Sequence, residues 1–147
     1  MSGLRCGWVL ADAELTRKML LLNDLFGVNN PYVTDQISCV ALAKLPQIAQ
    51  WSRALLARNT ALANEFLAAT PELSSEPLRV GTVMFPRVEF PVDEFCHLLR
   101  EKYDTVVTPG HFFGAPDHMR IAVGGDPALF QEAINCVHEA VREFVKS

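Results

Sequence analysis

The chain has 147 residues, a formal net charge of -4 and 50% hydrophobic residues, which is enough for one globular domain with a buried core. This composition excludes a disordered chain, and the negative charge argues against nucleic acid or an anionic membrane as the main partner. Because no apolar run approaches ~20 residues and the N-terminus lacks a signal-peptide pattern, the sequence predicts a cytoplasmic protein without a membrane span.

The cysteines and histidines indicate neither disulfides nor a metal site. The cysteines lie far apart and form no C-x-x-C pair, which favours reduced thiols in a cytosol. The histidines lack the spacing of metal ligands, so the sequence predicts no metal site. These residues are Cys6, Cys39, Cys96, Cys136, His97, His111, His118 and His138.

The first part of the chain is predicted to be a strand followed by a helix. Residues 3–11 form a short apolar run typical of a buried strand, with Arg5 near its start. Asp12 then caps a helix that ends at Gly27. The apolar residues expected on the buried face of this helix are Leu15, Met19, Leu22 and Phe26.

A long helical pattern follows, from Tyr32 to the breaking pair Thr70-Pro71. Pro46 lies inside it and predicts a kink near Lys44 and Leu45, because proline lacks an N–H and clashes with the preceding turn. Such a long bent helix is suited to bridging two lobes. Its predicted apolar face comprises Ile37, Val40, Ala41, Leu45, Ile48, Trp51, Leu55, Leu62 and Phe66, and its polar face Arg53, Arg58, Asn59 and Glu65.

The remaining residues predict a small α+β layer in which helices cover three short strands. The polar segment 72–77 is the best candidate for a linker. The predicted elements after it are a strand at 78–85, a helix carrying Phe95 to Tyr103, strands at 105–108 and 120–123, and a last helix capped by Asp126-Pro127.

The segment 108–125, T-P-G-H-F-F-G-A-P-D-H-M-R-I-A-V-G-G, holds the clearest candidate site residue. Arg120 stands at the head of an apolar run and faces a glycine-rich loop. Its guanidinium fork suits a carboxylate held by two parallel hydrogen bonds. The alternative is an exposed arginine on an edge strand with no ligand. Phe112 and Phe113 suggest an apolar wall, although core packing is the simpler interpretation.

No catalytic motif is recognisable. The sequence lacks nucleotide-binding glycine loops, a nucleophile elbow and a zinc-protease helix motif. It offers two candidate anion binders, Arg5 and Arg120, and no evident catalytic base. This combination indicates one part of a larger site.

Two segments resemble the class I and II aminotransferases, the fold type I enzymes that use pyridoxal 5'-phosphate (PLP). Residues 3–8, G-L-R-C-G-W, match one family motif, and residues 109–124 match the pattern P-G-x-x-F-G followed by R-I-x-x-G. The resemblance implies that Arg5 binds the cofactor phosphate and Arg120 the substrate α-carboxylate. Residues 29–31, N-N-P, resemble the loop before the family's long interdomain helix, which often approaches the partner subunit's site.

The resemblance covers the whole chain and implies its organisation. Residues 1–45 correspond to the end of the PLP-binding large domain, and residues 46–147 to the small C-terminal domain with its three-stranded sheet. The family's cofactor lysine would fall before Met1, and Lys18, Lys44, Lys102 and Lys146 lie elsewhere. We therefore expect the C-terminal part of an aminotransferase that acts on an amino acid and a 2-oxo acid, inactive alone, with PLP bound only by the complete enzyme.

Two alternatives remain open from the sequence. In the first alternative, the chain is a freestanding binding or assembly module or half of a split enzyme. It then forms a homodimer or strand-exchanged oligomer through residues 3–11 and the helices after them. The other alternative is a small enzyme unrelated to transamination, with His111 or His118 as its base.

Overall fold

The computed structural model describes residues 7, 9–27 and 31–146. The chain forms two compact units, Met1–Gln50 and Trp51–Ser147. The elements, in chain order, are α1 (Ala13–Phe26), α2 (Tyr32–Ala43), α3 (Leu45–Ala69), β1 (Val83–Met84), α4 (Val92–Tyr103), β2 (Thr108–Pro109), a 3₁₀ turn (Gly110–Phe113), β3 (Met119–Ala122) and α5 (Pro127–Phe144). This mixture of helices and a small sheet confirms the predicted α+β class.

Several predicted features at the start of the chain lie outside the described residues. These are Arg5, most of the predicted strand at 3–11, and Asn29 and Asn30. The described part of that strand, Gly7 and residues 9–11, is not in a strand.

The helix ends of the first unit follow local chemistry. The Asp12 carboxylate accepts a hydrogen bond from the Leu15 N–H at 2.8 Å, and Gly27 caps the end of α1, as predicted. The expected break of the long helix falls at Lys44, between α2 and α3. Pro46 lies in the first turn of α3, where its missing N–H costs no helical hydrogen bond.

The sheet of the second unit is antiparallel, with strand order β1-β3-β2. In register, Val83 pairs with Ala122 and Thr108 with Arg120. A bridge between Arg87 and His118 continues the register of β1 and β3 beyond the strands. Residues 83–88 and 117–122 therefore form one irregular ladder along the middle strand.

The strands are shorter than the sequence predicts. Residues 78–81 are not in a strand, because the Asn64 side chain in α3 takes both backbone groups of Leu78, at 2.7 and 3.0 Å. The Thr82 carbonyl, next to β1, already accepts a hydrogen bond of 2.8 Å from the Val123 N–H. Gly81 then adopts a positive φ of 121°, which breaks the extended chain. Likewise, the Thr105 N–H bonds back to the end of α4, so β2 begins only at Thr108.

Residues alternate between the two faces of the ladder. Met84, Pro86, Met119 and Ile121 point into the core. The core also contains buried residues of the three helices of this unit, among them Ala63, Phe66, Phe95, Leu99, Ile134, Val137 and Val141. The opposite face, formed by Phe85, Arg87, Thr108, His118 and Arg120, is the outer sheet face.

Two polar features of the sequence proved misleading. The segment 72–77, predicted as a linker, is fixed within the second unit: Leu73 is buried, and the backbones of Ser74 and Arg87 exchange two hydrogen bonds of 2.9 Å. Asn59, assigned to the polar face of the long helix, is fully buried, whereas Trp51 on the predicted apolar face is 68% exposed.

Candidate carboxylate-binding site

Arg120 lies at the centre of the outer sheet face. Thr108 is directly opposite it on β2, and the register of the β1–β3 ladder places Phe85 opposite it on the other side. The residue is half-buried. It therefore does not match the alternative of an exposed arginine on an edge strand, since β3 is the middle strand.

The Arg120 guanidinium contacts an aromatic ring and no acidic side chain of the described residues. Its central carbon lies 5.9 Å from the centroid of the Phe113 ring, within the range of a cation–π contact. Across residues 7, 9–27 and 31–146, no carboxylate forms an ion pair with this side chain. Its five N–H donors are thus available to a ligand with two acceptor oxygens.

Both phenylalanines of the P-G-x-x-F-G segment are on the surface. Phe113 is 54% exposed and Phe112 is 70% exposed, so the expectation that they pack in the core is wrong. Phe85 meets Phe113 edge-on, with centroids 5.9 Å apart at 88°. On its other side Phe85 stacks on the His118 ring, at 4.9 Å and 21°.

A charged array anchors the His118 side of this cluster. Asp117 accepts a hydrogen bond of 2.8 Å from Arg87 Nε through one oxygen and lies 2.7 Å from His118 Nδ1 through the other. Arg87, followed by His118, lowers the pKa of the Asp117 carboxyl below its usual value. Because an ionised carboxylate only accepts, the His118 Nδ1 carries the shared hydrogen.

The glycines of the P-G-x-x-F-G segment shape the loop that carries Phe113. A Cβ on Gly110 would lie 2.1 Å from the Ala115 carbonyl oxygen and 2.4 Å from that of His118, so a larger residue does not fit. Gly114 ends the 3₁₀ turn with a φ of 74°. The motif that identified the segment in the sequence thus has a local structural basis.

Sequence reasoning missed Phe85 and Arg87. The sequence signal that could have identified them is the alternation of residues 83–88, V-M-F-P-R-V. This alternation places Phe85 and Arg87 on the same face of an extended segment. Neither residue belongs to the motifs that pointed to Arg120.

The two histidines proposed as bases each pair with a carboxylate. His118 pairs with Asp117, and His111 Nδ1 lies 3.1 Å from Asp93. Within the described ranges, neither ring hydrogen-bonds to a hydroxyl, thiol or amine side chain. The described residues also contain no cluster of three or more histidines, cysteines or carboxylates able to hold a metal ion.

The described residues do not fit a covalently bound PLP. All four lysines are exposed, and two of them pair with carboxylates: Lys18 with Glu14 at 2.7 Å and Lys102 with Glu143. An enclosed, unpaired lysine, which a PLP site requires, is absent from residues 7, 9–27 and 31–146. Arg5, the predicted phosphate ligand, lies outside these ranges.

One cleft of the second unit does not have Arg120 in its wall. It has a volume of about 450 Å³ and opens beside Arg87, with Glu72, Glu89 and Phe90 in its wall. Its wall carries two glutamates and one arginine, and that arginine already binds Asp117, so a carboxylate ligand is not favoured there. The outer sheet face, where Arg120 has no carboxylate partner among the described residues, is therefore the better site for such a ligand.

Comparison with known proteins identifies relatives over almost the whole chain. The family model for aminotransferases of class I and II matches residues 1–137. Capreomycidine synthase of Streptomyces vinaceus is 25% identical over 124 residues, which are 82% of this chain and 32% of the synthase.

Among the described residues, none of the helices combines the length and the apolar character needed to span a membrane.

Solved structures show the same fold. A PLP-dependent aminotransferase from Streptococcus suis superimposes with a TM-score of 0.88 at 22% identity, covering 97% of this chain and 38% of the other. The PLP-dependent cyclase OrfR gives a TM-score of 0.86 at 26% identity, covering 97% of this chain and 40% of the cyclase. The chain thus spans about a third to two-fifths of the length of these relatives.

Proposed function

Because the chain belongs to the class I and II aminotransferase family, we propose that it forms the C-terminal part of a PLP-dependent enzyme that moves an amino group from an amino acid to a 2-oxo acid. In this proposal Arg120 binds the substrate α-carboxylate. The observation that carries it is the position of Arg120, half-buried on the middle strand and without a carboxylate partner among the described residues.

The chain's own contribution is binding and orientation. The planar guanidinium donates two parallel hydrogen bonds to a carboxylate, which fixes both the distance and the rotation of the substrate. The exposed Phe85 and Phe113 rings exclude water beside that contact, which strengthens it by lowering the local dielectric. Arg5 is assigned to the cofactor phosphate on the strength of its sequence motif.

In this proposal the chain is inactive alone, and residues 1–45 and 46–147 are parts of the large and small domains. The support is the exposure of all four lysines and the shorter length of the chain relative to its relatives. The test adds PLP and borohydride to the purified chain and measures the mass of its peptides. We expect no stoichiometric adduct on any lysine; an adduct together with turnover would overturn the proposed inactivity.

The role of Arg120 is tested in the complete enzyme of which this chain is proposed to be the C-terminal part. We expect Arg120→Gln to raise the KM for the amino acid about 10²-fold, because the two charge-assisted hydrogen bonds are lost. Arg58→Gln, an exposed helix residue of the same unit, is the matched control. An unchanged KM in the Arg120 variant would contradict the assignment.

A second candidate function is cyclisation. It is favoured by the relatives at 25% and 26% identity, whose names describe a synthase and a PLP-dependent cyclase, whereas the Streptococcus suis aminotransferase is 22% identical. The two functions differ in their co-substrate. Consumption of a 2-oxo acid with formation of a new amino acid would favour transamination, and a cyclised product formed without it would favour cyclisation.

A cytoplasmic location is proposed as well, because the widely spaced cysteines favour reduced thiols.

Self-association through the first unit is also proposed. The support is the apolar surface of α1, in which none of the described residues is buried. Leu25 is 74% and Phe26 84% exposed, and Leu10 before the helix is 93% exposed. Apolar surfaces of this extent are typical of interfaces.

A further inference from the structure

A series of side-chain contacts connects Asp117 to Arg120 across the outer sheet face. Asp117 holds the His118 ring, the ring stacks on Phe85, Phe85 meets the edge of Phe113, and Phe113 lies beside Arg120. Each contact is within the usual distance for its type. These residues come from three separate chain segments that only the sheet brings together.

The His118 end of this series of contacts is fixed more firmly than the Arg120 end. His118 is held by the hydrogen bond to Asp117, which Arg87 binds in turn, and its backbone pairs with Arg87 and Gly110. Arg120, in contrast, has a long side chain whose described contact is the Phe113 ring. Among these side-chain contacts, the two phenylalanines connect His118 to the Arg120 guanidinium.

We propose that His118 is a positioning residue for Arg120. Its imidazole, fixed by Asp117, holds Phe85 and thereby Phe113, and the Phe113 ring restricts the guanidinium to one orientation. This inference rests on the proposed function, in which the ligand of Arg120 is a carboxylate. A restrained arginine loses less side-chain freedom when it binds, so the series raises carboxylate affinity.

The test observes the Arg120 side chain directly, in the full 147-residue chain. Its Nε–Hε NMR resonance is assigned by its loss in Arg120→Lys. We expect His118→Ala to shift this resonance toward that of a solvent-exposed arginine and to increase its picosecond-to-nanosecond mobility. His118→Phe, which retains the aromatic stack on Phe85, should preserve most of the wild-type shift and order.

A control and a second variant keep the result interpretable. Phe112→Leu removes an exposed ring that contacts His111 outside the series, and should leave the Arg120 resonance unchanged. Phe85→Leu breaks the series at its next contact and should reproduce the effect of His118→Ala. Folding is checked by the backbone amide spectrum. An unchanged Arg120 resonance in either His118→Ala or Phe85→Leu, with the fold intact, overturns the inference.

Titration with sodium acetate separates this inference from the proposed function. In the wild type, acetate should shift the Arg120 resonance beyond the effect of equal sodium chloride, and His118→Ala should raise the apparent Kd roughly two- to fivefold, the range of an exposed cation–π contact. If acetate has no specific effect on the wild type, the carboxylate assignment fails. If acetate binds equally well to both proteins, the positioning role of His118 fails.

Discussion

At the scale of single residues, Asn59 shows how a buried amide connects a helix to a loop. Its Nδ2 donates to the Val123 carbonyl at 2.6 Å and to the Gly125 carbonyl at 2.8 Å, and the side chain is fully buried. Its Oδ1 has no hydrogen-bond partner among the described residues. The two bonds hold α3 against the segment between β3 and α5, so this unpaired acceptor is tolerated.

Replacing Asn59 by alanine should therefore be costly. The Val123 carbonyl would lose this donor while staying buried, and the Gly125 carbonyl would lose it in a partly buried position, so we expect the free energy of unfolding to fall by about 2–3 kcal/mol. Urea unfolding followed by circular dichroism measures the change. The control is Asn135→Ala, an exposed residue that pairs with Gln131 on the surface of α5, which should alter stability little. Equal stability of the two variants would contradict this account.

The contribution of the Tyr103 hydroxyl to stability depends on pH. It donates to Glu143 at 2.8 Å, and this hydrogen bond, with the nearby negative charge, raises the pKa of Tyr103 from 10.0 to about 12. Because the folded pKa lies above the unfolded value, this stabilisation is complete below pH 10. It is lost as the pH rises from 10 toward 12.

Ultraviolet titration of the phenolate tests this behaviour. In a Tyr32→Phe background, which leaves one tyrosine, the folded chain should show no phenolate signal at pH 10. Glu143→Gln should move the titration back toward 10, because the carboxylate charge is removed. A midpoint near 10 in the parent chain would show that the hydrogen bond to Glu143 is not formed in solution.

Gly110 is required by close packing, although its φ is not positive. Gly110→Ala places a methyl group against the Ala115 and His118 carbonyl oxygens, so the loop must move and we expect a loss of about 1–3 kcal/mol. Gly125→Ala is the control, because its Cβ would meet no atom within 4 Å. Thermal unfolding of both variants distinguishes a steric requirement from a general effect of added side chains.

At the scale of elements, the start of α5 depends on one capping residue. The Asp126 carboxylate accepts hydrogen bonds from the N–H groups of Ala128 and Leu129, at 2.9 and 3.3 Å, and Pro127 occupies the first helical position. Since α5 supplies much of the core of the second unit, loss of this N-cap should lower the stability of the whole unit.

We expect Asp126→Ala to lower the free energy of unfolding by about 1 kcal/mol, the usual cost of a lost N-cap. Asp126→Asn retains an acceptor oxygen and should remain close to the wild type. Urea unfolding of the three proteins measures the difference. An alanine variant as stable as the asparagine variant would mean that the cap contributes nothing to the unit.

At the scale of the whole molecule, the first unit buries little of its apolar surface. Ser38 is the buried residue of α2, and the large side chains of α1 are exposed. Such a surface is stable in water only when another surface covers it. Under the proposed function this partner is a second copy of the chain or the remainder of the enzyme.

Light scattering during gel filtration tests the behaviour of the isolated chain. We expect a concentration-dependent dimer or larger oligomer, and a shift toward monomer when Leu25→Lys and Phe26→Glu are combined on α1. The matched control is Leu129→Lys on α5, an apolar position of the second unit that is 66% exposed. A monodisperse wild-type monomer, with residues 9–11 protected from hydrogen exchange, would contradict self-association.

Features that depend on nearby residues could be predicted from the amino-acid sequence. The caps at Asp12 and Asp126 and the helix break before Pro46 were predicted correctly, because each arises from contacts within a few positions. The family resemblance and the α+β class followed from the same local patterns.

Contacts between distant residues, in contrast, became visible only in the folded chain. The Asn64 side chain shortens β1, Asn59 is buried against the β3–α5 segment, and Phe85 and His118 stack beside the centre of the sheet. Each of these contacts joins segments far apart in the chain, and the register of the strands sets which side chains share a face. A sequence pattern records the period of one segment but not its pairing with another, so the surroundings of Arg120 were beyond prediction.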